Sequence, residues 1–310
     1  MPVAIFDMDG VLYRGSDVLP HAKATLERLR KAGWQIFFAT NNSTATRDEY
    51  VARLARLGLG GDLGHVITSA YATAHYLERV TPKPKDVLVV GADGLRAEIR
   101  AVGISVRDAD TLPGTAPPRD AVVDGVDPGA MRRYLVSLAL PPVGDTVVVG
   151  LDLHFTYAKL AEAQRWILAG ARFVCSNRDR AYPVEGRLLP GAGTIVAAIE
   201  VATEQRAVCV GKPEPFLFEE AIRRATPSAV SGRVSALSAV SAGAADLVVV
   251  IGDSTDYDMV AAHRVGATGV LILTGLTLES ALKSAKGEAA PDHVIRSLDE
   301  LFTLPEFRGA

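Results

Sequence analysis

The chain has 310 residues, of which 48% are hydrophobic and 22% charged, and its formal net charge is −3. This length exceeds that of a chain folded around one ordinary hydrophobic core and fits two domains of roughly 100–200 residues each. The composition is that of a soluble globular protein and excludes a largely disordered chain. A slightly acidic balance also gives no reason to expect nucleic acid or an anionic membrane as a partner.

Targeting segments and cysteine pairs are the next features to consider. The first residues, Met1–Asp7, contain no basic stretch leading into a long apolar run, and no apolar run approaches the ~20 residues of a membrane span. A cytoplasmic protein is therefore expected. Cys175 and Cys209 each lie in a short apolar run without metal-ligand spacing, so buried free thiols are favoured over a metal or redox pair.

Short apolar runs alternate along the chain with segments of helical periodicity, which is typical of βα units in a parallel sheet. The predicted strands are Val3–Phe6, Gln35–Ala39, Val87–Val90, Ala121–Val123, Thr146–Val149, Arg172–Cys175, Ala207–Val210 and Leu247–Ile251. Predicted helices include His21–Ala32, Thr156–Ala169 and Ala192–Thr203. The pattern therefore predicts an α/β fold.

Two proline-containing segments suggest domain boundaries. Thr81–Lys85 carries two alternating prolines, which favour an extended linker, and Pro183–Pro190 interrupts the pattern again. These signals predict a core domain in two parts, residues 1–80 and 189–310, with an inserted domain at 81–188. The Ser- and Ala-rich stretch 226–245 carries one charge and is expected to be a flexible surface insertion; a short helix is the alternative.

Polar residues follow four of the apolar runs, where ligands bind at the carboxyl ends of parallel strands. These residues are Asp7 and Asp9; Thr40, Asn41, Asn42 and Ser43; Lys212; and Asp253, Asp256 and Asp258. Carboxylates from two strand ends suit Mg²⁺, which prefers oxygen ligands. A lysine beside them suits a phosphate, since Mg²⁺ and lysine both neutralise its charge.

This set predicts phosphoryl transfer, with Asp7 as nucleophile and Asp9 as the acid and base two residues away. Each piece alone has another interpretation. Asp7 and Asp9 are equally suited to capping a helix, and Lys212 to a strand exit. Asp256 and Asp258 could stabilise the next helix through its dipole. The joint occurrence of four clusters in order favours a catalytic site.

The motifs also resemble those of a known family. Asp7-Met8-Asp9-Gly10-Val11-Leu12-Tyr13 resembles the opening motif of haloacid dehalogenase-like phosphatases, and Thr40-Asn41-Asn42-Ser43, Gly211-Lys212-Pro213 and Gly252–Asp258 resemble the other three. The resemblance implies a doubly wound parallel-sheet core and an aspartyl-phosphate formed on Asp7. It further implies that Thr40, Asn41 and Lys212 hold the phosphoryl oxygens. Mg²⁺ would be bound by Asp7, the Asp9 carbonyl and Asp253, with Asp258 in the outer coordination sphere.

The stretch Val149–Leu160 is similar to the cap of 4-nitrophenylphosphatase-like members, which include the NagD type. That likeness implies a large α/β cap inserted between the second and third motifs. Asn177-Arg178-Asp179 is similar to the loop with which such caps contact substrate. The implied substrates are small phosphomonoesters such as phosphoglycolate, glycerol phosphate, pyridoxal phosphate or 4-nitrophenyl phosphate. Similar proteins also form homodimers through the cap.

The sequence departs from the family pattern in two places: Ser254 and Thr255 replace the usual residues after Asp253, and the segment between Lys212 and Asp253 is unusually long. Neither departure is expected to change the chemistry. Tyr182 lies where some relatives select substrate, although a packing role fits equally well, and His154 fits a structural turn better than catalysis. A phosphosugar mutase and a catalytically silent module that binds a phosphorylated metabolite are the alternative functions.

Overall fold

The computed structural model describes residues 1–109, 144–184, 187–226 and 247–310. The predicted strand Ala121–Val123 and, apart from Thr226, the Ser- and Ala-rich stretch lie outside these residues. Within the described part of the chain, no helix is both long and apolar enough to span a bilayer.

The strands are β1 Val3–Asp7, β2 Tyr13–Arg14, β3 Asp17–Val18, β4 Gln35–Thr40, β5 Val66–Thr68, β6 Asp86–Val90, β7 Ser105–Asp108, β8 Thr146–Val149, β9 Arg172–Cys175, β10 Ala181–Val184, β11 Arg187–Pro190, β12 Val208–Cys209, β13 Val248–Gly252, β14 Thr268–Ile272 and β15 His293–Ile295. The α-helices are α1 Ala22–Lys31, α2 Arg47–Arg56, α3 Ser69–Arg79, α4 Asp93–Ala101, α5 Tyr157–Leu168, α6 Ala192–Thr203, α7 Phe216–Ala225 and α8 Val260–Arg264. A single π-helical turn covers Thr255–Met259, and short 3₁₀ helices cover Glu279–Ser284, Gly287–Ala289, Leu298–Thr303 and Pro305–Phe307.

The first sheet has the order β15-β14-β13-β1-β4-β5, and all neighbouring strands are parallel. From β1 the chain adds strands on one side through β4 and β5, and later on the other side through β13, β14 and β15. This reversal makes the sheet doubly wound and opens a crevice at the carboxyl ends of β1 and β13, where such folds bind ligands. The predicted α/β class is confirmed.

The second sheet has the order β12-β9-β8-β6-β7 and is also parallel. Because β12 belongs to it, the predicted domain boundary at 188 is wrong: α6 packs on this sheet, and the chain returns to the first sheet only after Cys209. The prolines that suggested the boundary lie in the β10–β11 hairpin instead. Proline and turn signals mark a hairpin as readily as a domain crossing.

The two cysteines lie side by side in the second sheet. Cys175 ends β9 and Cys209 ends β12, and the two residues are partners in the parallel register. Both are buried and neither forms a disulfide, as the sequence predicts.

One hydrophobic cluster runs across both sheets. It includes Ile5 of β1, Val89 of β6 and Val148 of β8, together with residues of α3, α4 and α7. At the same seam the N–H of Gly94, in α4, donates to the carbonyl of Thr44 at 3.1 Å. A Cβ added at Gly94 would lie 2.4 Å from the Ala45 carbonyl oxygen, so the approach of α4 to this loop requires glycine.

Gly94→Ala is therefore expected to lower the free energy of unfolding by about 1–3 kcal/mol, because overpacking against rigid backbone outweighs the usual benefit of helical alanine. Urea unfolding followed by tryptophan fluorescence measures the change. Gly64→Ala is the matched control, since only the flexible Asp62 carboxylate lies close to its Cβ. Equal losses in the two variants would contradict the close approach at the seam.

Candidate active site

The turn after β1 brings the first motif against the end of β13. Asp7 ends β1 and is 8% exposed, and the turn is closed by hydrogen bonds from the Gly10 N–H to Tyr13 O and from the Leu12 N–H to Met8 O, both 2.9 Å. Gly10 has φ +81°, and a Cβ there would lie 2.3 Å from Asp253 Oδ2. The fourth residue of this motif must therefore be glycine for both conformation and space.

Asp253 follows β13 and is held by the loop after β14. The N–H of Leu276 donates to Asp253 Oδ2 at 2.7 Å, and the N–H of Thr277 donates to the Asp253 carbonyl at 3.0 Å. A Cβ at Gly275 would lie 1.6 Å from Asp253 Oδ2. Sequence reasoning missed this loop, although Thr274 and Gly275 follow an apolar run as the recognised residues do.

Lys212 is the cation of the site and is 3% exposed. Its Nζ donates to Asp7 Oδ1 at 2.6 Å and to Asp258 Oδ1 at 2.7 Å. Burial alone lowers the pKa of Lys212, but the charges of Asp258 and Asp7 outweigh it and raise that pKa above its ordinary value. Lys212 is therefore charged and held between two carboxylates.

Asp258 has protein partners on both of its oxygens. Its Oδ2 accepts the N–H groups of Asp253 at 3.2 Å and Ser254 at 3.1 Å, while Oδ1 accepts Lys212. Ser254 Oγ also accepts the N–H of Tyr257 at 3.2 Å, and so caps the turn that carries Asp258. The unusual serine thus stabilises the loop geometry.

The three carboxylates Asp7, Asp253 and Asp258 each have an oxygen within 4.8 Å of the others. Burial raises the pKa of Asp7 to about 7; Lys212 opposes this and Asp258 adds to it. Burial also raises the pKa of Asp253, with Asp7 and Asp258 adding to it. Such repulsion between buried oxygens is relieved by a hard cation, so the donor set fits Mg²⁺.

Asp9 differs from Asp7 in its surroundings. Its side chain is exposed, whereas that of Asp7 is buried. Partial desolvation raises the pKa of Asp9, and the guanidinium groups of Arg53 and Arg14 oppose the rise. Sequence reasoning did not single out these arginines. A carboxyl group that reaches solvent can exchange a proton with water, as an acid and base must.

Thr40 and Asn41 end β4 and begin the next loop. Thr40 Oγ1 accepts the N–H of Asn42 at 3.2 Å. The Asn41 side chain hydrogen-bonds the backbone of Lys212 and the carboxylate of Asp179. The structure therefore places Asn41 beside Lys212, but with its side-chain amide occupied by protein groups.

The cap loop reaches the site through two of its three predicted residues. Asn177 is buried and its amide donates to Asn41 O at 2.7 Å, while Asp179 accepts from Asn41 at 2.8 Å. The structure does not bring Arg178 to the site, which departs from the sequence prediction. Arg178 donates to the buried carboxylate of Glu200 at 2.6 Å and to Ala207 O, and Glu200 also accepts from Arg206, so Arg178 belongs to an ion-pair network away from the site.

The sequence does not decide the roles of two further side chains, Tyr182 and His154. Tyr182 is half-buried on β10, near enough to Tyr50 to help raise its pKa, which burial raises most. His154 is exposed, and its N–H donates to Asp152 Oδ1 at 2.8 Å in the turn before α5. Tyr182 thus lies near Tyr50, whose side chain hydrogen-bonds Thr40, whereas His154 belongs to a turn.

The raised pKa of Asp7 predicts how metal-free stability depends on pH. The folded protein holds this proton up to about pH 7, whereas the unfolded chain releases it near its ordinary value of 3.8, so stability falls as pH rises between the two. In EDTA, Asp7→Asn should raise the unfolding free energy by at least about 1 kcal/mol more at pH 8 than at pH 5. Asp93→Asn, at a carboxylate whose side chain is 94% exposed, is the control. A gain that is equal at both pH values would contradict the burial cost.

Comparison with known proteins agrees with this geometry. Residues 4–105 match the family model of haloacid dehalogenase-like hydrolases, and residues 209–301 match a HAD-hydrolase-like model. A glycerol-3-phosphate phosphatase from Gallus gallus is 34% identical, with 97% of this chain and 91% of that protein covered. A 4-nitrophenylphosphatase from Schizosaccharomyces pombe is 29% identical, with 96% and 92% covered.

Among solved structures, a glycerol phosphate phosphatase from Mycobacterium tuberculosis in complex with magnesium superposes with a TM-score of 0.74. It is 28% identical and matches over 96% of this chain and 75% of that one. Both the sequence relatives and the shared architecture lead to one assignment. The chain belongs to the haloacid dehalogenase-like hydrolases, in the group of 4-nitrophenylphosphatase-like phosphatases.

Proposed function

We propose that this protein hydrolyses small phosphomonoesters, with Asp7 as the nucleophile and Mg²⁺ as the cofactor. The observation that carries the proposal is the buried Lys212, whose ammonium lies 2.6 Å from Asp7 and 2.7 Å from Asp258 beside a third carboxylate. This arrangement combines a nucleophile with a cation for the phosphoryl oxygens. The family membership and the names of the relatives support the same activity.

The reaction has two steps. In the first, Asp7 attacks phosphorus, the bond to the leaving oxygen breaks, and Asp9 gives that oxygen its proton. In the second, Asp9 takes a proton from water as the water attacks the aspartyl-phosphate, which releases phosphate and restores Asp7. Lys212, the Thr40 hydroxyl and the Asn41 N–H stabilise the phosphoryl oxygens throughout.

Asp7, the Asp9 carbonyl and Asp253 would hold Mg²⁺, and Asp258 would support it through the N–H groups of Asp253 and Ser254. When bound, the ion neutralises the phosphate charge that would otherwise repel the Asp7 carboxylate. The carboxylates of this cluster repel a phosphate dianion, so activity without a divalent cation is not expected.

Replacement of the two catalytic aspartates should separate their roles. Asp7→Asn is expected to abolish phosphate release from 4-nitrophenyl phosphate, and Asp9→Asn to slow it by roughly 10²–10⁴-fold, because Asp9 also takes the proton from the water that hydrolyses the aspartyl-phosphate. Steady-state assays with Mg²⁺, and again with EDTA, measure both effects. Asp256→Asn, an exposed carboxylate of the fourth motif, is the matched control.

Undiminished phosphate release by Asp7→Asn would refute the nucleophile assignment. Formation of an isomeric sugar phosphate without free phosphate would instead identify a mutase. Binding of phosphorylated metabolites by the wild-type protein, without turnover of any, would identify a silent binding module.

Within small phosphomonoesters, we propose that the leaving group carries hydroxyl groups. Asp179 is the acidic residue that the cap loop brings next to Asn41. Burial raises the pKa of its carboxyl group, the hydrogen bond from Asn41 and the charge of Lys212 oppose the rise, and the charge of Asp258 adds to it. A carboxylate accepts hydrogen bonds from hydroxyl groups and repels a second carboxylate. Glycerol phosphate therefore fits this position better than phosphoglycolate.

The ratio of kcat/KM for glycerol 3-phosphate to that for phosphoglycolate tests this selectivity. The wild-type ratio should exceed one, and Asp179→Asn should reduce it by about 10-fold, because like-charge repulsion is removed. Asp93→Asn removes an exposed charge on α4 and should leave the ratio unchanged. An unchanged ratio in Asp179→Asn would contradict the role of Asp179.

Cytoplasmic localisation and dimerisation through the cap stay predictions.

A further inference from the structure

The orientation of the Asn41 amide is fixed by its partners. The N–H of Lys212 donates to Asn41 Oδ1 at 2.7 Å, while Asn41 Nδ2 donates to Lys212 O at 3.0 Å and to Asp179 Oδ1 at 2.8 Å. A flipped amide would place its oxygen against a carbonyl and a carboxylate, and its nitrogen against an N–H. Both N–H bonds and the oxygen of this amide are therefore in use.

The contact with Lys212 is a close reciprocal pair. A Cβ at Gly211 would lie 2.8 Å from Asn41 Oδ1 and 2.4 Å from Ser176 O, so glycine before Lys212 allows the amide to approach the backbone. Asn41 itself is 7% exposed. Two hydrogen bonds at this burial fix the backbone from which the Lys212 side chain extends to Asp7.

The cap loop contacts Asn41 from the other side. Asn177 Nδ2 donates to Asn41 O at 2.7 Å, and Asn177 Oδ1 accepts the N–H of Asp179 at 3.2 Å. Ser69 Oγ also donates to Asn41 O. The cap loop therefore contacts Asn41 twice, through Asn177 at the backbone carbonyl and through Asp179 at the side chain. The side chain that binds Asp179 also binds the backbone of Lys212.

We infer that Asn41 is a positioning residue that couples the seating of Asp179 to the position of Lys212, an inference that rests on the proposed function. When Asp179 is seated, one N–H of the amide is fixed, and the other two bonds set the Lys212 backbone. When the cap loop leaves, the amide loses its charged partner and keeps only its two bonds to the Lys212 backbone, so its orientation is held less firmly. Phosphate binding and the position of the cap loop are thereby linked through one side chain.

A purely structural role makes a different prediction. If Asn41 only held the loops of Lys212 and Asp179 in place, its replacement would lower stability and activity whatever residue stood at 179. Coupling requires that the effect of a change at 41 depend on the residue at 179. A double-mutant cycle measures that dependence.

The cycle compares the wild type, Asn41→Asp, Asp179→Asn and the double variant, assayed on 4-nitrophenyl phosphate with Mg²⁺. Asn41→Asp sets two carboxylates against each other and should lower kcat/KM by at least about 100-fold. In the double variant, donor and acceptor are exchanged, and an amide at 179 can donate to a carboxylate at 41. It should regain at least about 10-fold over Asn41→Asp, with incomplete recovery because the bond to Lys212 O is still lost.

Asn42→Asp is the control for charge, since it adds the same charge one residue further along. The Asn42 side chain accepts the N–H of Thr44 at 2.8 Å, and a carboxylate keeps that bond. Combining Asn42→Asp with Asp179→Asn should give no recovery beyond the product of the single effects. Recovery equal to that of the Asn41 pair would show a general charge effect and overturn the coupling.

A second comparison covers the case in which Asn41→Asp fails to fold. Asp179→Asn and Asp179→Ala remove the same charge, but only the first retains an oxygen that can accept from Asn41. The inhibition constant of inorganic phosphate should be at least about 10-fold weaker in Asp179→Ala than in Asp179→Asn. Equal constants, or an additive cycle in folded proteins, would overturn the inference. Absence of wild-type turnover with Mg²⁺ would instead refute the proposed function.

Discussion

The site depends on a single buried ammonium group held between carboxylates. Lys212 is 3% exposed and touches both Asp7 and Asp258, while Asp253 lies close by. Buried carboxylates at such separation cannot all ionise without a compensating cation. One ammonium compensates only part of their charge. The cluster is therefore stable enough to fold and still negative enough to favour a divalent ion.

The carboxylates of this cluster are surrounded mainly by backbone, which approaches them closely at three glycines. Gly10, Gly252 and Gly275 each leave space that a Cβ would take from Asp253 or Asp258. Their absence of side chains lets three separate loops meet around two carboxylates, whose oxygens are oriented by backbone N–H groups. Such oriented donors need no reorganisation when charge develops, which is the property an active site of this type requires.

The residues that meet at the site could be predicted from sequence because a parallel sheet aligns its strand ends. Asp7, Lys212 and Asp253 each follow an apolar run, and the winding of β1 and β13 brings two of those ends together. The loop at Gly275 follows the same rule and could have been found by it. The predicted boundary at 188 failed because prolines mark turns in both hairpins and linkers, and sequence alone does not distinguish them.

The orientation of side chains was harder to predict than their position. Arg178 and Asp179 are adjacent in sequence, yet one pairs with Glu200 and the other reaches Asn41. This separation depends on a buried carboxylate about twenty residues away in a helix, which no local pattern reveals. The same holds for Asn41, whose motif suggests a phosphate ligand but whose amide has partners in two other segments, at Lys212 and Asp179.

The hydrophobic cluster that crosses between the two sheets bears on how such an enzyme could have gained its cap. Residues of β1, β6 and β8 share one apolar interior, and α4 packs on α3 across the seam. Excising residues 82–210 would therefore uncover apolar side chains of α3 and remove the contacts of Asn41 with Asn177 and Asp179. An ancestral core without an insertion would have needed polar residues on that face of α3. The present core covers part of its apolar surface with the inserted domain, and the two share one hydrophobic interior.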